Sequence, residues 1–220
     1  MHFYKSIISL FTISLIFLSF SFVQPLQLLL SNTADKTGAW KSMKVSGYRT
    51  VTNVEKGQKY REDFILNLKR PLTAKIQLTN SVTGKTRKTS KFSKPVRRML
   101  DIILLSNHKA KLYGKLKAWG VAGEIIGLTR LDKKVCQIIG ALETQPDKNQ
   151  FWVEKFDYFP ARLIYVTEGD DKYSRVQISM TGWDSPITDE FFPKNIEISE
   201  NGKILQKWEI TGINLSASKK

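Results

Sequence analysis

The chain has almost none of the residues that carry redox, metal or imidazole chemistry: one cysteine and two histidines in 220 residues. Cys136 has no partner for an internal disulfide, and it lies too far from the N-terminus to be the acylated cysteine of a lipoprotein signal. It reads as a small hydrophobe in the strand Val135-Cys136-Gln137-Ile138-Ile139, the alternative being a reactive thiol. His2 stands at the extreme N-terminus, so only His108 remains in the body of the chain, which excludes a His-His metal site or a two-imidazole mechanism there. The G-x-S-x-G, Walker A and H-E-x-x-H patterns are absent. The carboxylate pairs Asp170-Asp171 and Asp189-Glu190 fall in predicted turns, where solvation accounts for them. No catalytic residue, metal or cofactor is therefore expected, and the chain is read as a non-enzyme.

Acidic residues are scarce in one half only. Residues 1–120 hold 22 basic and 5 acidic side chains, a balance of +17, whereas residues 121–220 hold 13 and 15, a balance of −2. Such a division is expected of a protein with one face turned to something anionic. Seven of the basic residues, Lys85, Arg87, Lys88, Lys91, Lys94, Arg97 and Arg98, crowd into fourteen positions.

What the sequence does contain begins with an apolar run. Lys5 precedes the uncharged stretch Ile7 to Val23, the pattern of the n-region and h-region of a secretory signal. Ser19 and Ser21 before Phe22 are the best small pair for cleavage, and an uncleaved anchor is the alternative. Either way the expected place for the body of the protein is the periplasm, where nucleic acid is not a partner and lipid headgroups are the available polyanions. Residues 1–23 are thus read as signal or anchor and residues 24–220 as one domain, with enough chain for a real core.

The body reads as mainly β. A helix is expected around Leu26 to Leu30, followed by strands over Met43 to Val54, Tyr60 to Leu68, Ala74 to Asn80 and Lys85 to Phe92, with Phe64, Leu66 and Leu68 alternating against Asp63, Asn67 and Lys69. Ser93 with Pro95 then opens a helix to Leu105, because Val96, Met99, Leu100, Ile103 and Leu104 recur at i, i+3, i+4, i+7 and i+8; Arg97, Arg98 and Asp101 are left for its outer side. Seven more short strand candidates follow, with Glu168-Gly169-Asp170-Asp171 and Asn201-Gly202 as hairpin loops, the latter a strong type I′ signal. About ten strands in antiparallel meander order predict an α+β, mainly β fold: an open, strongly curved half-barrel with helices against its open side.

This order of elements, together with Lys69-Arg70-Pro71, Gly84-Lys85-Thr86, Phe151-Trp152-Val153-Glu154-Lys155, Pro160-Ala161-Arg162-Leu163 and Phe192-Pro193, resembles the LolA/LolB-like periplasmic lipoprotein carriers and outer-membrane lipoprotein-sorting proteins. The resemblance implies a half-barrel whose inner face is an apolar cavity for acyl chains, closed by helices that open to admit cargo. On this sequence the wall would include Phe64, Leu66, Leu68, Ile76 and Leu78, and the lid Val96, Met99, Leu100, Ile103 and Leu104. By motif match Arg70 would be the arginine that contacts the lid in the closed state, the alternative being a solvated loop cation. Where the family has an aromatic run after its D-G-K-T pattern, this chain has Arg87-Lys88-Thr89-Ser90-Lys91. Arg87, Lys88, Lys91, Arg97 and Arg98 are therefore read as a headgroup site, with an anionic lipid as cargo in place of a lipoprotein's acylated N-terminus. The implied partners are lipid or lipoprotein cargo, an anionic membrane surface, an inner-membrane donor and an outer-membrane acceptor, for a monomeric carrier without cofactor. A non-transporting envelope-stress sensor of the same fold is the alternative function.

Overall fold

The computed structural model describes residues 24–37, 40–53, 57–70, 73–121, 123, 125–145, 147–168 and 173–217. The apolar N-terminal run, Pro71 and the loop residues Gly169, Asp170 and Asp171 lie outside them.

Helix α1 (Leu26–Lys36) leads into β1 (Trp40–Asn53), β2 (Gln58–Lys69), β3 (Thr73–Asn80) and β4 (Thr86–Thr89). Two helices follow, α2 (Lys94–Leu105) and α3 (Lys109–Ala118), and then β5 (Ile125–Leu131), β6 (Lys134–Ile139), β7 (Gln150–Glu154), β8 (Pro160–Glu168), β9 (Tyr173–Thr181), β10 (Asn195–Glu200) and β11 (Lys203–Ala217). All eleven strands form one antiparallel sheet in the order β4-β3-β2-β1-β11-β10-β9-β8-β7-β6-β5. The sheet is thus two meanders, β1–β4 and β5–β11, joined where β1 pairs with β11. It stays open, with β4 and β5 as its edges, and the α2–α3 segment carries the chain from one edge to the other.

Curvature comes from irregularities in the ladder: β11 carries an extra residue opposite Ser46/Gly47 and another opposite Ile198/Ser199, and β8 carries one opposite Trp152/Val153. An extra residue in one strand bends it and tightens the twist. At Gly47 the bend leaves no room for a side chain: a Cβ would sit 2.1 Å from the Glu209 carbonyl oxygen and 3.0 Å from the Phe64 ring. The Asn201-Gly202 hairpin has both residues at positive φ, 48° and 77°, as a type I′ turn requires.

Strand alternation gives the sheet one thoroughly apolar face. Across five neighbouring strands Ile198, Ile178, Leu163, Phe151 and Ile139 stand in register, and in the other half Val45, Leu66 and Ile76 do the same. All are buried, and with the helices they make a single core. The opposite, convex face carries only a small second cluster of Cys136, Ile138, Trp152, Ala161 and Ile164, with the Arg162 guanidinium 4.5 Å above the Trp152 ring. Of the five tryptophans, Trp40, Trp183 and Trp208 belong to the main core, Trp119 packs partly buried against it, and Trp152 lies on the convex side.

Candidate functional site

The apolar face needs a cover, and α2 is that cover. Its N-cap position is Ser93 with Pro95 in the first turn, although the serine side chain makes no capping hydrogen bond. Val96, Met99, Leu100, Ile103 and Leu104 bury one side of the helix in the same cluster as Phe64, Leu66, Leu68, Ile76 and Leu78. None of these ten side chains is more than 3% exposed. Ile102 and Leu105 are buried as well, and α3 contributes Leu112 and Leu116, so the insertion is apolar on more than one flank. Seven fully buried apolar side chains on α2, at about 1.5–3 kcal/mol each, amount to roughly 10–20 kcal/mol of apolar burial.

The attachment of α2 is almost wholly of this kind. Among the described residues no backbone hydrogen bond joins α2 to a strand; its end bonds are local, from the Arg97 amide to Ser93 and from the His108 amide to Leu105. Polar fastening comes from side chains. Asp101 is buried, contrary to its expected outer position, because α3 lies over that side of the helix; Arg97 approaches it at 3.0 Å, as an ion pair without hydrogen-bond alignment, and Lys115 at 3.6 Å. Arg98 also turns inward. Its guanidinium lies 3.8 Å from the centre of the Tyr165 ring on the apolar sheet face and 5.3 Å from that of Trp119 at the end of α3.

Arg70 comes next after β2, half-buried, with its guanidinium 3.9 Å over the Trp40 ring. Its amide donates to the Lys41 carbonyl, and burial brings its pKa down to about 10. It lies close enough to the α2–α3 corner for its charge, added to burial and to Lys111, to lower the His108 pKa.

The five basic residues read as one headgroup group are distributed over three places. Arg87 faces the apolar side, opposite Leu78, where it shares the buried Glu62 carboxylate with Arg49: Arg87 Nη2 lies 3.0 Å from one oxygen and Arg49 Nη2 2.6 Å from the other. The Arg49 guanidinium also covers Trp208, which in turn meets Phe64 edge to face. Arg97 and Arg98 belong to the helix contacts above. Lys88 and Lys91 lie with Lys75 around a shallow depression of about 520 Å³, and a second of about 440 Å³ beside it is lined by Lys44, Lys69 and Lys75. The register places Lys44, Asn67 and Lys75 in one row across β1, β2 and β3, on the convex face. Among the described residues none of these five lysines is in an ion pair with a carboxylate, so this is a field of exposed positive charge.

Sequence reasoning missed Lys44, Lys69 and Lys75 as part of that field, since strand alternation gave the outward side without saying which strands would be neighbours. It also missed α3, whose Leu112 and Leu116 at i, i+4 and Gly120 at φ 75° were the available signals.

The sequence matches no protein-family model and no curated protein. In shape the chain is similar to an outer membrane lipoprotein-sorting protein domain from Vibrio parahaemolyticus, at TM-score 0.52 and 7% identity, covering 88% of this chain and 93% of that one. It also aligns with a LolA superfamily protein from Nitrosomonas europaea, at TM-score 0.47 and 10% identity over 90% and 96% of the two chains. A DUF1329 family protein from Desulfovibrio piger aligns at TM-score 0.44 and 11% identity over 90% and 96%. The likeness is one of fold, and it is the fold that the sequence resemblance implied.

Proposed function

We propose that the protein is a periplasmic carrier that shelters the acyl chains of a lipid or lipoprotein between α2 and the apolar face of the sheet, and delivers them toward the outer membrane. The observation that carries this reading is the kind of contact α2 makes. The helix offers the sheet mostly apolar surface and, among the described residues, no backbone hydrogen bonds, so what comes between the two meets apolar surface on both sides. An acyl chain suits that place: at about 0.8 kcal/mol per buried methylene, a chain of a dozen carbons contributes on the order of 10 kcal/mol before ordering costs. That is comparable with the burial α2 gives up, which is the condition for an exchange that runs in both directions. The lysine field on the convex face supports the anionic partner in this reading, because a carrier approaching a membrane with that face keeps the α2 side free.

The test is saturable binding of an apolar fluorescent probe and its displacement by a long-chain lipid, together with mass spectrometry of lipids extracted after gentle purification. One displaceable site per chain and a co-purified acyl lipid are expected. A folded protein that binds neither would end the proposal.

A further inference from the structure

Among the described residues the buried carboxylates are matched by cations. Glu62 has two arginines, Asp101 has an arginine and a lysine, and Glu154 has Lys134. Two largely buried arginines, Arg162 over Trp152 on the convex face and Arg98 under α2, have no such carboxylate among these residues, and only Arg98 lies on the apolar side of the sheet. Its guanidinium is held between Tyr165 and Trp119, its Nη1 is buried without a hydrogen-bond partner, and no carboxylate pairs with it among the described residues. The Tyr165 side chain beneath it is 1% exposed, and its hydroxyl is also buried without a partner. Two stacked side chains thus each keep an unsatisfied polar group in an apolar interior, a costly arrangement that an acceptor reaching both would relieve.

We propose that Arg98 and Tyr165 form the site for the anionic oxygen of an amphiphile, a carboxylate or phosphate joined to an alkyl chain, at the polar end of the chamber under α2. The inference rests on the acyl-chain reading of that chamber and names the class of cargo it prefers. The apolar sheet face has the matching layout. Leu163, two residues from Tyr165 on the same face of β8, belongs to the row Ile198, Ile178, Leu163, Phe151 and Ile139, so an alkyl chain leaving the anion has a continuous apolar track. Arg98 Nη1 and the Tyr165 hydroxyl both donate, and a charged acceptor makes stronger bonds than a neutral one. Burial pushes the Tyr165 hydroxyl up to about 12, so it keeps its proton at neutral pH, and burial lowers the Arg98 pKa. Glu200, whose charge reaches Tyr165, is the group that opposes an anion here.

The experiment compares displacement of the apolar probe by dodecanoate, dodecyl phosphate and dodecanol, for the unaltered protein and for Tyr165→Phe and Arg98→Gln. The two anions separate a carboxylate from a phosphate preference, and the alcohol reports the chain alone. An anion is expected to bind about tenfold tighter than dodecanol, with Tyr165→Phe losing most of that advantage and Arg98→Gln abolishing it while dodecanol affinity holds. Tyr165→Phe is expected to keep or raise the Tm, since it removes an unsatisfied hydroxyl and leaves the ring, so its result does not depend on a folding defect. Equal affinity of all three amphiphiles for the unaltered protein, or equal losses for anion and alcohol in Tyr165→Phe, would overturn the site while leaving the chamber. Failure of all three to bind would remove the chamber and the site together.

Discussion

Arg70, next after β2, sits over Trp40 at the start of β1, with 3.9 Å between its guanidinium carbon and the ring centre. The contact joins two strand ends beside the corner where α2 hands over to α3, and His108 stands at that corner. Its pKa is lowered by burial first, then by Lys111 and by Arg70. Arg70→Gln is therefore expected to move the His108 titration upward, because one of two like charges is gone. Proton NMR of the His108 imidazole reads this directly. An unmoved titration in the folded variant would separate Arg70 from the helix corner.

Leu100 is fully buried in the middle of the contact between α2 and the sheet. Leu100→Ala is expected to cost about 2–5 kcal/mol, through lost transfer energy and the cavity left behind. Leu100→Asp adds a carboxylate that is costly in that interior, so the helix should leave the sheet and retention of an apolar probe should weaken. Thermal unfolding and probe dissociation rates check the two variants. A folded Leu100→Asp protein with unchanged probe affinity would take α2 out of the mechanism.

The lysine field and the Arg87 contact give opposite expectations for neighbouring residues. Lys75, Lys88 and Lys91 changed together to Ser should reduce sedimentation with anionic vesicles, and binding by the unaltered protein should fall as salt rises, the screening length being about 10 Å at 0.1 M. Arg87→Ser should leave vesicle binding nearly unchanged and lower stability instead, since Glu62 is buried and keeps only Arg49. Equal binding to neutral and anionic vesicles would assign the lysines to solubility alone.

Cys136 gives a check on the convex cluster. Burial pushes its thiol up to about 12, with the Glu154 charge acting in the same direction. A thiol reagent at pH 8 should not modify the native protein, and modification should follow unfolding. Rapid labelling of folded protein would contradict the packing of Cys136 beneath Trp152.

The α2 apolar face and the Asn201-Gly202 hairpin were readable because each depends on spacing within a few residues. The join of β1 to β11 was not, since it pairs positions such as Val45 and Ile213 whose compatibility lies in the assembled sheet and leaves no local mark. The candidate site divides the same way. The burial of the apolar residues on the sheet face and on α2 followed from periods of two and 3.6, whereas the basic cluster was read as one group because it is contiguous in sequence. The strand pleat sends Arg87 and Lys88 to opposite faces, and α3 covers the side of α2 where Asp101 was expected to meet solvent. Arg98 could not be assigned to an interior from helix periodicity, because its two aromatic partners come from the end of α3 and from β8, far along the chain.

The central claim is that an acyl chain lodges between α2 and the sheet, and hydrogen exchange with and without dodecyl phosphate tests it most directly. On binding, amides of Lys94–Leu105 should lose protection while β1, β2 and β9–β11 keep theirs. A bound amphiphile that leaves the exchange of α2 unaltered would contradict the account.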